Sequence, residues 1–307
     1  MAAGGGTKAI LAALFANAGI AVAKFIGFLV TGSSSMIAEA VHSVADTSNQ
    51  GLLLIGMRSA KREASAEHPF GYGRNRYFYS FVVALVLFSL GSVFALYEGI
   101  HKIQEPEPLT TAYVAVIILL VAIALECYSF YTAIVESRKV KGGATWVQFV
   151  RQAKTPELPV VLLEDAGALL GLVFALAGVG LSVLTGNPVW DGIGTICIGL
   201  LLGVIAIILI VEMKSLLIGE GAGPAELRTI REALVGGAVD RVIHVKTQYV
   251  GPEELLVAAK IACAGSLPTA DIARAIDEAE ARVRSAVPAA RMIYLEPDLD
   301  RSPAVVD

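Results

Sequence analysis

Charge is what this sequence is short of: 17% of its 307 residues are Asp, Glu, Lys or Arg, 55% are hydrophobic, and mean hydropathy is +0.67. An ordinary soluble domain carries about 25% charged residues, so a wholly water-exposed globule is excluded and the bilayer is the expected solvent. Cysteine is scarce too. Cys127, Cys197 and Cys263 are odd in number and far apart, which excludes a disulfide framework and a thiolate zinc cluster. The chain has no His-rich tract, no His-Glu-x-x-His and no Gly-x-Ser-x-Gly, so the usual signatures of zinc peptidases and serine hydrolases are missing. Residues 1–10 hold one Lys and no small-residue cleavage site; no cleavable signal peptide is predicted, and the first span serves as its own insertion signal.

What is present is a succession of apolar runs. A span needs about 20 mostly apolar residues to cross a hydrocarbon core of roughly 30 Å, and six stretches qualify, near 7–30, 34–59, 77–100, 110–134, 158–184 and 189–213. The second is the least apolar. Lys and Arg near span ends prefer the cytoplasmic side. The 60–76 connection carries Lys61, Arg62, Arg74 and Arg76, and the 135–157 connection carries Arg138, Lys139, Lys141, Arg151 and Lys154, whereas the opposite connections offer only Lys102. Both termini are therefore predicted to be cytoplasmic. Trp146, Phe149 and Val150 among basic residues predict a short amphipathic helix at the interface.

Near Gly219 the composition changes to that of a soluble sequence rich in Arg, Glu and Asp. The chain is accordingly divided into a transmembrane domain, 1–217, and a cytoplasmic α/β domain, 218–307, whose small core would benefit from dimer contacts. Its pattern reads helix 224–234, strands 241–250 and 254–262 joined by the turn Val250-Gly251-Pro252-Glu253, helix 268–286 and strand 290–296.

The second span holds Glu39, His42, Asp46 and Asn49, spaced three, four and three residues apart, so at about 100° per residue they share one stripe of a helix. Each ionisable group at this depth costs on the order of 3 kcal/mol and marks a candidate functional site. The plainer alternative, hydrogen bonding for packing alone, would bury two polar pairs at that cost. In the fifth span Glu164 and Asp165 interrupt an apolar run. With His42 and Asp46 they make an imidazole-and-carboxylate set that suits zinc and also accepts manganese, iron or cobalt. Asn17, Lys24, Glu126 and Asp191 are read as pairing partners or as lining for an aqueous access route, with Lys24 either balancing the carboxylates or snorkelling. Glycines in spans one, three, five and six permit close helix contact.

The run Gly32-Ser33-Ser34-Ser35-Met36-Ile37-Ala38-Glu39-Ala40-Val41-His42-Ser43-Val44-Ala45-Asp46 resembles the second-span signature of the cation diffusion facilitator family, solute carrier family 30. The run His68-Pro69-Phe70-Gly71-Tyr72-Gly73-Arg74 looks like that family's next signature, and the six spans followed by an α/β domain extend the likeness over nearly the whole chain. The resemblance implies a polytopic α-helical membrane protein of six transmembrane helices with a ferredoxin-like cytoplasmic domain. It also implies a homodimer in which two residues of span two and two of span five bind one metal tetrahedrally while protons travel the other way. By position His42 and Asp46 fill the span-two pair and Asp165 the second span-five place. The first is Val161, a departure from the family's His or Asp; Glu164, about 100° round the helix from Asp165, is the candidate substitute, and without it the site has three protein ligands and a water. A branch with Glu-Asp in span five resembles zinc transporters.

Accessory sites depart further. His68 remains but Tyr72 stands where a second histidine often appears, and Tyr294 and Lys260 occupy ligand-like places in the C-terminal domain, where His244 stands alone. Glu39, Asn49 and His68 are kept as accessory candidates, and the domain's expected role is dimerisation rather than metal binding. The expectation is a multi-pass secondary metal:proton antiporter, not an enzyme, in the inner membrane if bacterial. It exports a divalent cation by alternating access, with metal as cargo, no cofactor and no nucleic-acid partner. Two rivals stay open: a transport-inactive partner subunit, suggested by Val161 and Tyr294, and a membrane-embedded metalloenzyme.

Overall fold

The computed structural model describes residues 2–31, 34–106, 112–263, 265 and 267–299, with the side chains of 2–5, 30–31, 34–39, 41–42 and 112 outside that description. The chain divides into two compact units: residues 1–61 with 75–214, and residues 62–74 with 215–307.

The first unit is helical: α1 (Ala2–Thr31), α2 (Ser34–Ser59), α3 (Asn75–Val86), a π-helical segment (Leu87–Val93), α4 (Phe94–Gln104), α5 (Ala112–Lys141), α6 (Trp146–Gln152), α7 (Glu157–Thr185) and α8 (Val189–Ile218). Among the described residues five helical stretches are long and apolar enough to cross a membrane: Gly6–Leu29, Asn75–Gln104, Tyr113–Lys141, Glu157–Thr185 and Val189–Ile218. The sequence predicts a sixth in α2. Its 26 residues span about 39 Å at 1.5 Å each, enough for the distance, but ionisable and amide groups interrupt its apolar run. α1 packs on α2, α5 and α7, and α2 on α3.

Small residues let these helices approach closely, as helices in lipid require. A Cβ on Gly99 of α4 would lie 2.7 Å from Ile196 Cγ1 and 3.0 Å from Gly192 O on α8, and one on Gly194 of α8 would lie 2.9 Å from Phe174 O on α7. The π-helical segment bridges α3 and α4 without a proline, and Ser92 Oγ in it donates to Gly199 O of α8 at 2.8 Å. The predicted interfacial helix is α6. Thr145 and Gln148 cap it reciprocally, Thr145 Oγ1 accepting from Gln148 N at 3.2 Å and Gln148 Oε1 from Thr145 N at 2.9 Å.

The second unit contains α9 (Pro224–Leu234), β1 (Val239–Gly251), β2 (Glu254–Cys263), α10 (Thr269–Ala286) and β3 (Ala290–Pro297). β1 and β2 form the predicted antiparallel hairpin, and α10 carries the chain across so that β3 lies parallel to β2, giving the order β1-β2-β3. Alternate residues Leu255, Val257, Ala259 and Ile261 of β2 are buried, the period of two that a half-covered sheet demands. They pack with Ile230 and Leu234 of α9 and Ala275, Ala279 and Val283 of α10, at intervals of four. The 62–74 connection belongs to this unit. Gly71 takes a left-handed φ of +79°, and Gly73 lies against the hairpin so tightly that a Cβ would be 2.8 Å from Gly251 Cα.

Candidate metal centre

Four helices bring polar groups together inside the first unit. α2 supplies Asp46, Asn49 and Gln50; α5 supplies Glu126 and Ser129; α7 supplies Glu164 and Asp165; α1 supplies Asn17 and Lys24. Glu164 is buried and accepts two hydrogen bonds, Oε1 from Asn49 Nδ2 and Oε2 from Gln50 Nε2, each at 3.0 Å. Gln50 is held in turn by Asn17, whose Nδ2 donates to Gln50 Oε1 at 3.3 Å. A carboxylate in an apolar bundle needs such donors.

Beside this layer lies a cavity of about 260 Å³, lined by Asp46, Glu164, Glu126 and Lys24 and, farther along, by Glu98, Lys102 and Asp191. The lining from α4 and α8 comes from the parts of those helices next to the 105–111 and 186–188 connections. At that end Lys102 Nζ pairs with Asp191 Oδ2 at 2.9 Å. Toward the opposite end of the bundle, Tyr77, Leu158, Val160 and Val161 are buried, and the Arg76 NH2 group donates to Glu157 Oε2 at 2.7 Å.

The two adjacent acids of α7 behave differently. Glu164, Gly167, Ala168 and Gly171 line the cavity, at the 3, 4 and 7 spacing of one helix face. Val161 and Asp165, also four apart, do not line it. Asp165 is buried against α5, where Ser129 Oγ donates to its Oδ2 at 2.6 Å. Asn49 sits behind Glu164. His42 and Glu39 lie on α2 with side chains outside the described residues, and among the described residues no three His, Cys, Asp or Glu side chains are gathered closely enough to hold a metal. Sequence reasoning missed Gln50 and Ser129 as supports. Gln50, four residues beyond Asp46, carried a readable signal; Ser129 carried none. Asp191, read as pairing with the other polar groups or as lining for an aqueous route, lines the cavity and pairs with Lys102.

In the second unit His68 is exposed and stacks edge-on against Tyr72 at 4.6 Å between centroids, with the Arg62 guanidinium 4.8 Å over the same Tyr72 ring. Lys260 Nζ lies 3.0 Å from both Glu296 Oε1 and Asp298 Oδ2. These carboxylates raise its pKa, the hydrogen bond to Glu296 first; an ammonium fills the place between the two acids. His244 is opposite Lys260 in the hairpin, and Tyr294 is exposed on β3.

Residues 10–218 match the cation efflux transmembrane domain. The chain is 34% identical over 265 residues to "Proton-coupled zinc antiporter SLC30A9, mitochondrial" of Xenopus laevis, covering 85% of this chain and 47% of that protein. Its human counterpart of the same name is 32% identical over 247 residues, 80% of this chain and 44% of that one. "Metal tolerance protein C4" of Arabidopsis thaliana is 31% identical over 257 residues, 83% and 56% respectively. The chain thus spans about half the length of these relatives.

Proposed function

The chain belongs to the cation efflux family, and from that premise we propose that it is a secondary transporter moving a divalent cation, zinc foremost, out of the cytoplasm in exchange for protons. The observation that carries this reading is the buried cavity where Asp46 of α2 and Glu164 of α7 line one space inside the bundle. Carboxylates at that depth are costly and mark ion pathways, and the relatives named for zinc transport support the choice of cargo.

In this reading α2 is a sixth span, residues 1–217 transport, and residues 218–307 pair two copies of the chain. The cation lies among His42, Asp46 and Glu164, and Asp165 joins them when Ser129 releases it. Lys and Arg distribution puts the 60–76 and 135–157 connections in the cytoplasm, so the cavity, lined toward the opposite connections, belongs to an outward-facing state. Its inner side is closed by the Asn17–Gln50–Glu164 layer and the Arg76–Glu157 pair. Metal displaces protons from its ligands as it binds, and an imidazole titrating near pH 6.5 when unperturbed is suited to that competition.

The test is uptake of zinc, manganese(II) and iron(II) into proteoliposomes under an imposed pH gradient, with the whole chain and with Asp46→Ala. Gradient-driven zinc flux that the variant loses while keeping its gel-filtration profile is the expected result. Full flux in the variant removes the site, and no flux of any metal removes the transport reading.

A further inference from the structure

Glu126 is an acid that the sequence pattern read only as a pairing partner or as lining for an aqueous route. It stands midway along α5, 1% exposed, and its Oε1 has no hydrogen-bond partner among the described residues. Buried carboxylate oxygens are normally satisfied, and Glu164 and Asp165 nearby both are. Glu126 differs from them in lining the cavity with one oxygen unclaimed. Among the described residues, the carboxylates of Asp46, Glu126 and Glu164 line the cavity with the ammonium of Lys24, while Glu98 and the Lys102–Asp191 pair line it farther along. Fully ionised, the first four groups leave an excess of two negative charges, the charge that one divalent cation neutralises.

A structural role for Glu126 would show itself as a partner, and Oε1 has none among the described residues. We propose that Glu126 is a direct ligand of the transported cation, contributed by α5, so that the site draws on three helices and is richer in carboxylate than a pairing of α2 with α7 alone. This rests on the transport reading above. Closure of the cavity around the ion would bring the unclaimed oxygen onto the metal. Carboxylate oxygen suits manganese and other hard divalent ions as well as zinc, so the third acid also broadens the cargo the cavity accepts.

The experiment measures zinc and manganese(II) affinity of the full-length protein in detergent, by competition with a metal-sensitive dye, for wild type, Glu126→Gln, Glu126→Asp and Asp46→Ala. Glu126→Gln keeps shape and loses charge, and its zinc Kd is expected to rise roughly tenfold or more, by analogy with the loss of metal-site partners, with manganese binding also weakened and the gel-filtration profile unchanged. Should Glu126→Gln not fold, Glu126→Asp, which keeps the charge and withdraws it by one methylene, carries the same expectation. Wild-type Kd values in whichever variant folds, with Asp46→Ala deficient, overturn this inference alone. Wild-type affinity in Asp46→Ala removes the site and this inference with it, and no saturable binding by the wild type overturns the transport reading as well.

Discussion

The two units of this chain obey opposite burial rules. In the α/β unit Leu255, Val257 and Ile261 are inside and the charges are outside, whereas in the helical unit Phe15 is 69% and Leu184 83% exposed while Glu126, Glu157 and Asp165 are buried. In water such apolar surface would drive association; against lipid it is the proper exterior. Burial therefore carries meaning only relative to a solvent. A buried Leu in the second unit is ordinary core, and a buried Glu in the first stands out as a candidate for function.

Changes in the two units should fail in different ways. The largest effect is expected from Glu164→Leu, which removes a carboxylate from the cavity and leaves the Asn49 and Gln50 amides without their acceptor. Proton-driven flux should fall to that of protein-free liposomes, and retained flux would show that the polar layer is packing. Arg76→Ala strands the buried carboxylate of Glu157, a loss of about 3–5 kcal/mol for a broken buried pair, read as a lowered melting midpoint of the detergent-solubilised protein. Ile261→Ala empties a fully buried site in the sheet and should cost about 2–5 kcal/mol. Limited proteolysis of the full chain should then cut within 215–299 first, leaving 75–214 protected; simultaneous cleavage of both would break the comparison. Arg282→Ala removes donors to the carbonyls of Ala233, Leu234 and Gly236, a milder loss of about 1–3 kcal/mol visible in the same digest. Lys260→Ala touches only a partly exposed pair of contacts; no change in midpoint or flux is expected, and lost flux would give the Lys260 cluster a task that these solvent-screened contacts do not suggest.

The α/β unit was legible almost residue by residue. Strand alternation in 254–262, helical spacing in 224–234 and the Gly251-Pro252 turn each follow from one face meeting water, and the observed elements begin and end within two residues of those read from the sequence. The spans were legible as elements, since length and apolarity suffice, although α5 runs on through its basic end to Lys141 and α2 falls outside the five strongly apolar stretches. The π-helical segment at 87–93 had no proline to announce it. The attachment of residues 62–74 to the α/β unit depends on the fit of Gly73 against Gly251, a contact nearly 180 residues apart.

The sequence by itself determined the solvent of each half, the order of the elements, the polar groups within the spans and the family likeness, because all of these depend on composition and short-range periodicity. Which of two neighbouring acids meets the cavity was not so determined. Glu164 and Asp165 differ by one residue, about 100° of helix rotation, and only the packing of α7 between α5 and the cavity settles that angle, turning Glu164 toward Asp46 and Glu126 and Asp165 toward Ser129.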